Sequence, residues 1–230
     1  MTNMRGKRML IFILTLQFFV NMINAQNSRD FIKQQITQWG ECKNVAITET
    51  NGDLALHGTN GWAGKGLPVR LSDELNKLNE EGELIDDVQL TENGRWIILY
   101  GNNGFRWSDI PYSLERQIKS FNNAEEIVFS VTFNDNNDWI VITKERYAAS
   151  SVELQNWLQE GAKEFGMLWA ACLTNEALVA CYQGGYKFLG NIPYSLKEAL
   201  TATKLDVYRI KIAGEAWFFS DFYGSYQGKM

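Results

Sequence analysis

The pentapeptide IPYSL occurs twice in this chain, at Ile110–Leu114 and at Ile192–Leu196. The similarity extends in both directions, because NGRWIILYGNNGFRWSDIPYSLERQI from Asn93 aligns with NEALVACYQGGYKFLGNIPYSLKEAL from Asn175. Weaker copies lie before, between and after these two stretches. Self-similarity at a fixed period is typical of tandem-repeat folds, in which each repeat is one supersecondary unit. The repeat therefore restricts the fold of this chain more than any other feature.

The copies can be aligned on one residue near the start of the second strand predicted in each unit. Successive anchors are separated by 42, 43, 39 and 39 positions, which gives a unit of about 41 residues. The predicted units span residues 40–82, 83–125, 126–166, 167–205 and 206–230. The five anchors are Leu54, Trp96, Trp139, Leu178 and Trp217.

Each unit is predicted to contain three antiparallel strands and one helix. The first strand alternates apolar and polar residues, as at Val88 and Leu90, which is typical of a half-buried strand. Asn93-Gly94 then suits a two-residue hairpin turn. The second strand, Trp96–Tyr100, is apolar on both faces and should lie inside a stack of sheets. A short aromatic third strand precedes the helix, so the fold class is mainly β with helices, an α+β repeat.

The IPYSL stretch lies where the third strand meets the helix. The residue before proline is disfavoured in the α region, so the chain should be extended there. Ser113 and Ser195 are predicted to be N-caps, and Ser195 with Glu198 has the spacing of a capping box.

The two ends of the chain complement each other. The fifth unit has no room for a helix after Tyr226, whereas residues 28–39 predict a spare helix with Phe31, Ile32 and Ile36 on one side. If that helix completes the fifth unit, the repeat closes into a ring without exposed sheet edges. This arrangement resembles a small five-bladed β-propeller-like tandem-repeat protein, by repeat number, strand pattern and aromatic anchors rather than by a signature motif. An open repeat solenoid is the alternative.

The N-terminus has the features of a secretory signal peptide. Arg5, Lys7 and Arg8 precede an apolar run at Met9–Val20 that is shorter than the roughly 20 residues of a membrane-spanning helix. Residues 1–25 are predicted to be removed, which leaves a single repeat domain at 26–230 and a secreted or periplasmic protein. An N-terminal membrane anchor is the alternative, and no later segment is apolar enough to span a bilayer.

The charge of the chain limits its partners. Removal of the three basic residues in the signal lowers the formal net charge from −5 to −8. An acidic domain is a poor match for nucleic acid or for an anionic membrane surface. The sequence does not indicate an oligomeric state.

Few residues suggest chemistry. The single histidine, His57, aligns with core positions of other units and is interpreted as a structural or surface residue. Asp86-Asp87 is interpreted as a solvated strand end. Asn134–Asp138 (NDNND) would suit Ca²⁺ but also suits a hairpin turn. No catalytic residue, metal site or cofactor is predicted.

The three cysteines lack the spacing of zinc ligands. Cys172 and Cys181 are predicted to be diagonal neighbours on adjacent strands, so that a disulfide and two buried thiols are both open. Cys42 is expected to be unpaired.

Aromatic and basic residues alternate in the third strands of the second and fourth units. Such side chains could stack on a sugar or hold a peptide, with a tyrosine at the helix entry beside them. The alternative is that these aromatics pack beneath the helix as repeat core. The candidate ligand-binding residues are Phe105, Arg106, Trp107, Tyr112, Tyr186, Lys187, Phe188 and Tyr194.

The sequence thus predicts an exported, non-catalytic binding or interaction domain with a glycan or a peptide as its ligand. A carboxylate-based hydrolase acting on cell-surface glycans is one alternative, and a structural envelope-associated protein is another. An enzyme should break the repeat symmetry with a polar cluster, whereas a binding protein should repeat similar grooves.

Overall fold

A computed structural model describes residues 27–230, so the predicted signal peptide lies outside the described residues. The described chain forms five three-stranded antiparallel sheets, each with its strands in chain order, which confirms the predicted composition of the units. We number the sheets 1 to 5 along the chain. Their strands are β1 (Asn44–Ala46), β2 (Asp53–His57) and β3 (Gly61–Lys65); β4 (Ile85–Leu90), β5 (Trp96–Tyr100) and β6 (Gly104–Ser108); β7 (Val128–Phe133), β8 (Trp139–Thr143) and β9 (Tyr147–Ala149); β10 (Leu168–Leu173), β11 (Ala177–Tyr182) and β12 (Gly185–Gly190); and β13 (Arg209–Ala213), β14 (Ala216–Ser220) and β15 (Tyr226–Lys229).

A helix follows the third strand of each of the first four sheets, and a further helix precedes sheet 1. Residues 27–39 form the described part of α1. None of the helices between residues 27 and 230 is long and apolar enough to cross a membrane. The other helices are α2 (Val69–Glu80), α3 (Tyr112–Asn123), α4 (Val152–Phe165) and α5 (Tyr194–Ala202).

The strand register corrects the anchor predicted for the first unit. The glycine that starts the third strand pairs with His57 in sheet 1 and with Tyr100 in sheet 2. Asp53 precedes His57 by four residues, as Trp96 precedes Tyr100. Asp53, rather than Leu54, therefore occupies the anchor position of sheet 1. The anchor position of sheet 1 is therefore polar, unlike the apolar anchors of the other four sheets.

Each of the helices α2 to α5 packs between its own sheet and the next one, so the core is divided into similar clusters. Leu114, Ile118 and Phe121 of α3 are buried against Ile97 of sheet 2 and Phe133 of sheet 3. Burial of a large apolar side chain contributes about 1.5–3 kcal/mol, so these interfaces dominate the stability of each unit. The helix is therefore the element that joins successive sheets.

Helix α1 makes the corresponding contacts with both ends of the chain. Ile32 and Ile36 share a core cluster with Val45 and Ile47 around β1 and with Phe218 of β14. Strands β13 and β14 lie against β1. The first and last sheets are thus held together by α1 and by direct strand contact.

The serines of the two IPYSL stretches do not cap their helices, which corrects the N-cap prediction. Prolines occupy the N-cap positions of α3 and α5, and neither cap has a side-chain hydrogen bond. The Ser113 hydroxyl instead accepts the indole N–H of Trp139 at 2.9 Å, and the Ser195 hydroxyl accepts that of Trp217 at 3.0 Å. The pentapeptide therefore ties a helix to the anchor tryptophan of the next sheet.

At sheet 1, an ion pair takes the place of the hydrogen bond between serine and tryptophan. Asp53 stands at the anchor position, and both of its carboxylate oxygens accept hydrogen bonds from Arg29 of α1, at 3.0 and 3.2 Å. Arg29 also donates to the carbonyl oxygen of Thr48. Helix α1 is thus joined to sheet 1 in the way that α3 is joined to sheet 3 and α5 to sheet 5.

We expect Ser113→Ala and Ser195→Ala each to lower the free energy of unfolding by about 1–2 kcal/mol, because each leaves a buried indole N–H without its acceptor. Trp139 and Trp217 are only 5% and 7% exposed. Urea denaturation would measure the change, and Ser120→Ala on the exposed side of α3 is the matched control. Equal stability of all three variants would contradict the role assigned to IPYSL.

The first strands are buried on both faces rather than half-buried. Each lies beside the first strand of the next sheet. Polar side chains of β1 and β7 bond to the next sheet in the chain, from Asn44 to Asp87 and between Thr132 and Leu173. Asp87 is 1% exposed, so the predicted solvated strand end is wrong at this residue. The buried polar residues of these strands include Asn44, Asp87, Gln89, Ser130, Thr132, Arg209 and Lys211.

The three cysteines are free and buried. Cys172 pairs with Val179 and Cys181 with Ala170, so the two thiols lie on one face of sheet 4 as diagonal neighbours. Burial raises the pKa of Cys42 to about 12 and that of Cys172 to about 11. None of these thiols is therefore poised to act as a thiolate nucleophile.

Candidate functional site

A charged network fills the space between the first strands. Lys211 of sheet 5 donates to Asp87 of sheet 2 at 3.0 Å and to Gln89 at 3.1 Å. Asp87 also accepts the side-chain amide of Asn44 and the backbone N–H of Val131. Burial alone would raise the pKa of Asp87, but Lys211 and Arg209 outweigh it and hold that pKa below its ordinary value. Side chains of sheets 1, 2 and 5 and a backbone N–H of sheet 3 thus meet in one network.

One end of the first strands carries a β-bulge in three consecutive sheets. The pairing with the second strand skips one residue in each, namely Asp86, Phe129 and Trp169. A bulge redirects the side chain of the extra residue. The same position holds Lys43 just before β1 and Tyr208 just before β13. We call these five residues the axial mouth.

The axial mouth is exposed relative to its surroundings. In all five sheets the mouth residue is half-buried, whereas the residues directly before and after it are buried. The sequence therefore places one accessible side chain per sheet at the same level. Because the five side chains differ, the mouth breaks the symmetry of the repeat.

Aromatic rings cover one side of the mouth. Trp169 and Tyr208 stack with their ring centroids 5.0 Å apart and their planes 9° from parallel. Phe222, in the turn after β14, meets Tyr208 edge-on at 6.1 Å. Phe222 is 67% exposed and the adjacent Tyr223 86% exposed. Phe222 and Tyr223 thus add exposed aromatic surface beside the stacked pair.

Charged groups line the other side. Lys43 donates to the carbonyl oxygen of Ile85 at 2.8 Å and lies 3.5 Å from the Asp86 carboxylate. Arg209 donates to the carbonyl oxygen of Tyr208 at 2.8 Å and reaches that of Asp86 at 3.4 Å. Burial lowers the pKa of Lys43 and raises that of Asp86, in each case against the attraction of the other. The mouth is thus a partly desolvated ionic site.

The single histidine of the chain lies in a packed position. His57 stacks on Trp39 with centroids 4.0 Å apart, and it packs over Gly61 rather than beside a nucleophile. Within residues 27–230, no group of three His, Cys, Asp or Glu side chains is placed to hold a metal ion. What the mouth offers a ligand is a set of flat rings beside cationic groups.

The opposite end of the first strands consists of hairpin turns that hold one another. Glu92 accepts backbone N–H groups of Glu49 and Thr50, and Asp135 accepts that of Asn93. Asn134 accepts the N–H groups of two residues of its own turn, so its oxygen serves the turn of the NDNND segment. The acids at this end therefore mainly join neighbouring turns. A cleft of about 680 Å³ remains between the turns of sheets 4 and 5.

Arg106 of β6 and Lys187 of β12 are the basic candidates for ligand binding. In the structure each connects its sheet to the preceding helix. Arg106 forms ion pairs with Glu74 and Glu81 at the α2 end of the previous unit. Lys187 makes the equivalent contacts with α4, donating to the carbonyl oxygen of Trp157 and to Glu160. These cations are occupied by contacts within the protein.

The aromatic residues of these strands are divided between core and surface. Phe105, Tyr186 and Phe188 pack against core clusters. Trp107 is 36% exposed, and Tyr112 and Tyr194 are 73% and 74% exposed. The two sets belong to sheets 2 and 4, and the structure does not bring them together into one site.

Sequence reasoning did not identify the mouth, apart from Asp86. The available signal was one additional residue ahead of the alternating stretch, as at Phe129 and Trp169. That signal has meaning only once the bulge is known, because strict alternation would place these side chains in the core.

No protein-family model and no curated protein sequence matches this chain. Among solved structures, the chain is similar to one described as "YCF48 bound to D1 peptide", with 11% sequence identity and a TM-score of 0.29. The match covers 80% of this chain and 49% of the other.

Proposed function

We propose that the five sheets close into a ring, a small five-bladed propeller whose fifth helix is α1. Three contacts support closure: β13 lies beside β1, α1 packs on Phe218 as well as on Val45, and Arg29 binds Asp53 at the anchor position. The first strands are then innermost, and the charged network around Asp87 occupies the axis. An open solenoid would leave the contact between β1 and β13 unexplained.

The proposed function is that of an exported, non-catalytic binding module, with the axial mouth as its ligand site. The basic and apolar start of the chain supports export to a secreted or periplasmic location. The observation that supports binding is the contrast at the mouth. Repeated packing is kept in every unit, while the one accessible position per sheet carries lysine, aspartate, phenylalanine, tryptophan and tyrosine. Packing alone does not require that variety.

The two alternatives fit the geometry less well. A glycan hydrolase needs two carboxylates in complementary protonation states. Asp86 and Asp87 are each paired with a lysine, and Asp87 lies in the buried network. A purely structural protein would have no reason to expose Phe222 and Tyr223 beside the mouth.

We expect Trp169→Ala to weaken binding to a glycan or peptide ligand identified on arrays by about tenfold or more, because aromatic anchors dominate binding energy. The melting temperature should change little, since Trp169 is half-buried. Trp107→Ala is the matched control, because Trp107 also stacks on an aromatic neighbour but lies on the outer strand β6. Loss of binding in Trp107→Ala with full binding in Trp169→Ala would move the site to the third strands.

A further inference from the structure

The charges around the axial mouth do not balance. Three cations, Lys43, Arg209 and Lys211, lie near two carboxylates, Asp86 and Asp87. Lys211 pairs with Asp87, and Lys43 pairs with Asp86. Within residues 27–230, Arg209 has no carboxylate within 4.0 Å. This local excess of positive charge occurs in a chain whose net charge is −5.

Arg209 is unusual because it is buried and attracts Asp86 and Asp87 only from a distance, without a direct ion pair to either. It is only 6% exposed, and its three hydrogen bonds all go to main-chain carbonyl oxygens. Its guanidinium also lies 6.0 Å from the ring of Phe129, a mouth residue. A buried charge is costly unless it is paired, and a guanidinium matches a carboxylate in geometry. An anionic group entering the mouth would supply a direct partner for this guanidinium.

The surroundings of Arg209 restrict the rest of the ligand. Peptides commonly bind by adding a strand to an open sheet edge. Two N–H groups that such a strand would need, those of Val131 in β7 and Val45 in β1, are already bonded to the side chains of Asp87 and Asn44. What remains accessible is flat aromatic surface at Trp169, Tyr208 and Phe222. A ring-shaped ligand fits such a surface better than an extended chain.

We propose that the axial mouth binds an acidic sugar residue of a glycan, with Arg209 and Lys43 on its carboxylate and the aromatic side of the mouth against its ring. This inference rests on the proposed binding function and adds the ligand class. The side chains of Lys43 and Asp86 are 18% and 21% exposed, so a carboxylate can approach through them. Asp86 would then exchange part of its interaction with Lys43 for water.

The proposal is tested first with the unaltered protein. Calorimetric titration with oligogalacturonate should give at least about tenfold tighter binding than neutral oligogalactan of equal length, as for a hydrogen bond to a charged group. Equal affinity for the two would overturn the acidic-sugar inference and leave the binding module standing. Binding only of a peptide, abolished when its C-terminal carboxylate is amidated, would also overturn it. No binding of any probe would contradict both proposals.

Two variants locate the carboxylate. Arg209→Gln and Lys43→Gln keep hydrogen-bond donors but remove charge, and each should weaken oligogalacturonate binding about tenfold and so remove most of its preference over oligogalactan. Lys43 lies on the rim, so its variant remains informative if Arg209→Gln fails to fold. Arg106→Gln on the outer strand is the control and should bind like the unaltered protein. Unchanged oligogalacturonate binding in Lys43→Gln, or in a folded Arg209→Gln, would overturn the assignment.

Discussion

Replacing Asp87 with asparagine is expected to lower the free energy of unfolding by about 3–5 kcal/mol, because it leaves a buried charge without its partner. The lysine that loses its partner is Lys211, whose side chain is 7% exposed. Gln89 can still accept one of its hydrogen bonds, but no other carboxylate lies within ion-pair distance of Lys211 among residues 27–230. Chemical denaturation followed by tryptophan fluorescence would measure the loss.

A double substitution separates the cost of an unpaired buried charge from the cost of changing the shape of the side chain. Adding Lys211→Met to Asp87→Asn should restore more than half of the lost stability, because removal of both charges is far less costly than removal of one. Glu115→Gln is the surface control. Its partner Lys119 is largely exposed, and such pairs contribute about 0–1 kcal/mol. Additive effects of the two axial substitutions would show that Asp87 and Lys211 do not interact.

The pH dependence has a definite sign. The pKa of Asp87 is lower in the folded protein than its ordinary value. Its stabilising contribution is therefore fully present above the ordinary aspartate pKa and is lost as the pH falls through the folded value. Asp87→Asn should lack this acid-induced loss, so its stability should approach that of the unaltered protein in acid.

Local patterns in the sequence were sufficient to predict the units. Asn93-Gly94 and the alternation at Val88 and Leu90 specify a hairpin within a few residues, and β4 and β5 form at those places. The anchor Asp53 was missed because its polarity makes sense only with Arg29 in place, and Arg29 belongs to a different element. Contacts within a unit and the place of the spare N-terminal helix could be predicted, whereas side-chain pairs between elements, such as Arg29 with Asp53, could not.

Ser113 illustrates the same limit. Its position at a helix start favours an N-cap, and the local rule is correct at Ser151, which caps α4 by accepting the N–H of Leu154. Ser113 has a competing partner, the indole of Trp139, that comes from the next sheet. The axial mouth is a stronger case, because Phe129, Trp169 and Tyr208 are brought together only by the arrangement of three sheets.

Replacing Arg29 with leucine is expected to cost about 3–5 kcal/mol of stability at neutral pH, because it strands a buried carboxylate. Asp53 is fully buried, and Arg29 supplies both of its ionic contacts. Burial already raises the pKa of Asp53 in spite of Arg29. A carboxyl with a raised pKa favours the folded state below its unfolded pKa and loses that effect as the pH rises. Acid should therefore partly restore the stability of the variant.

The same substitution tests ring closure, because among residues 27–230 Arg29 bonds only to sheet 1, whereas α1 also covers sheet 5. If α1 completes the ring, loosening it from Asp53 should lower hydrogen-exchange protection at Phe218 and Phe219 of β14 as well as at Val45 of β1. Arg106→Leu, which removes a more exposed ion pair on the outer strand, should leave β14 unchanged. Reduced protection confined to β1, with β14 as protected as before, would favour the open solenoid, because the last sheet would then not depend on the N-terminal helix.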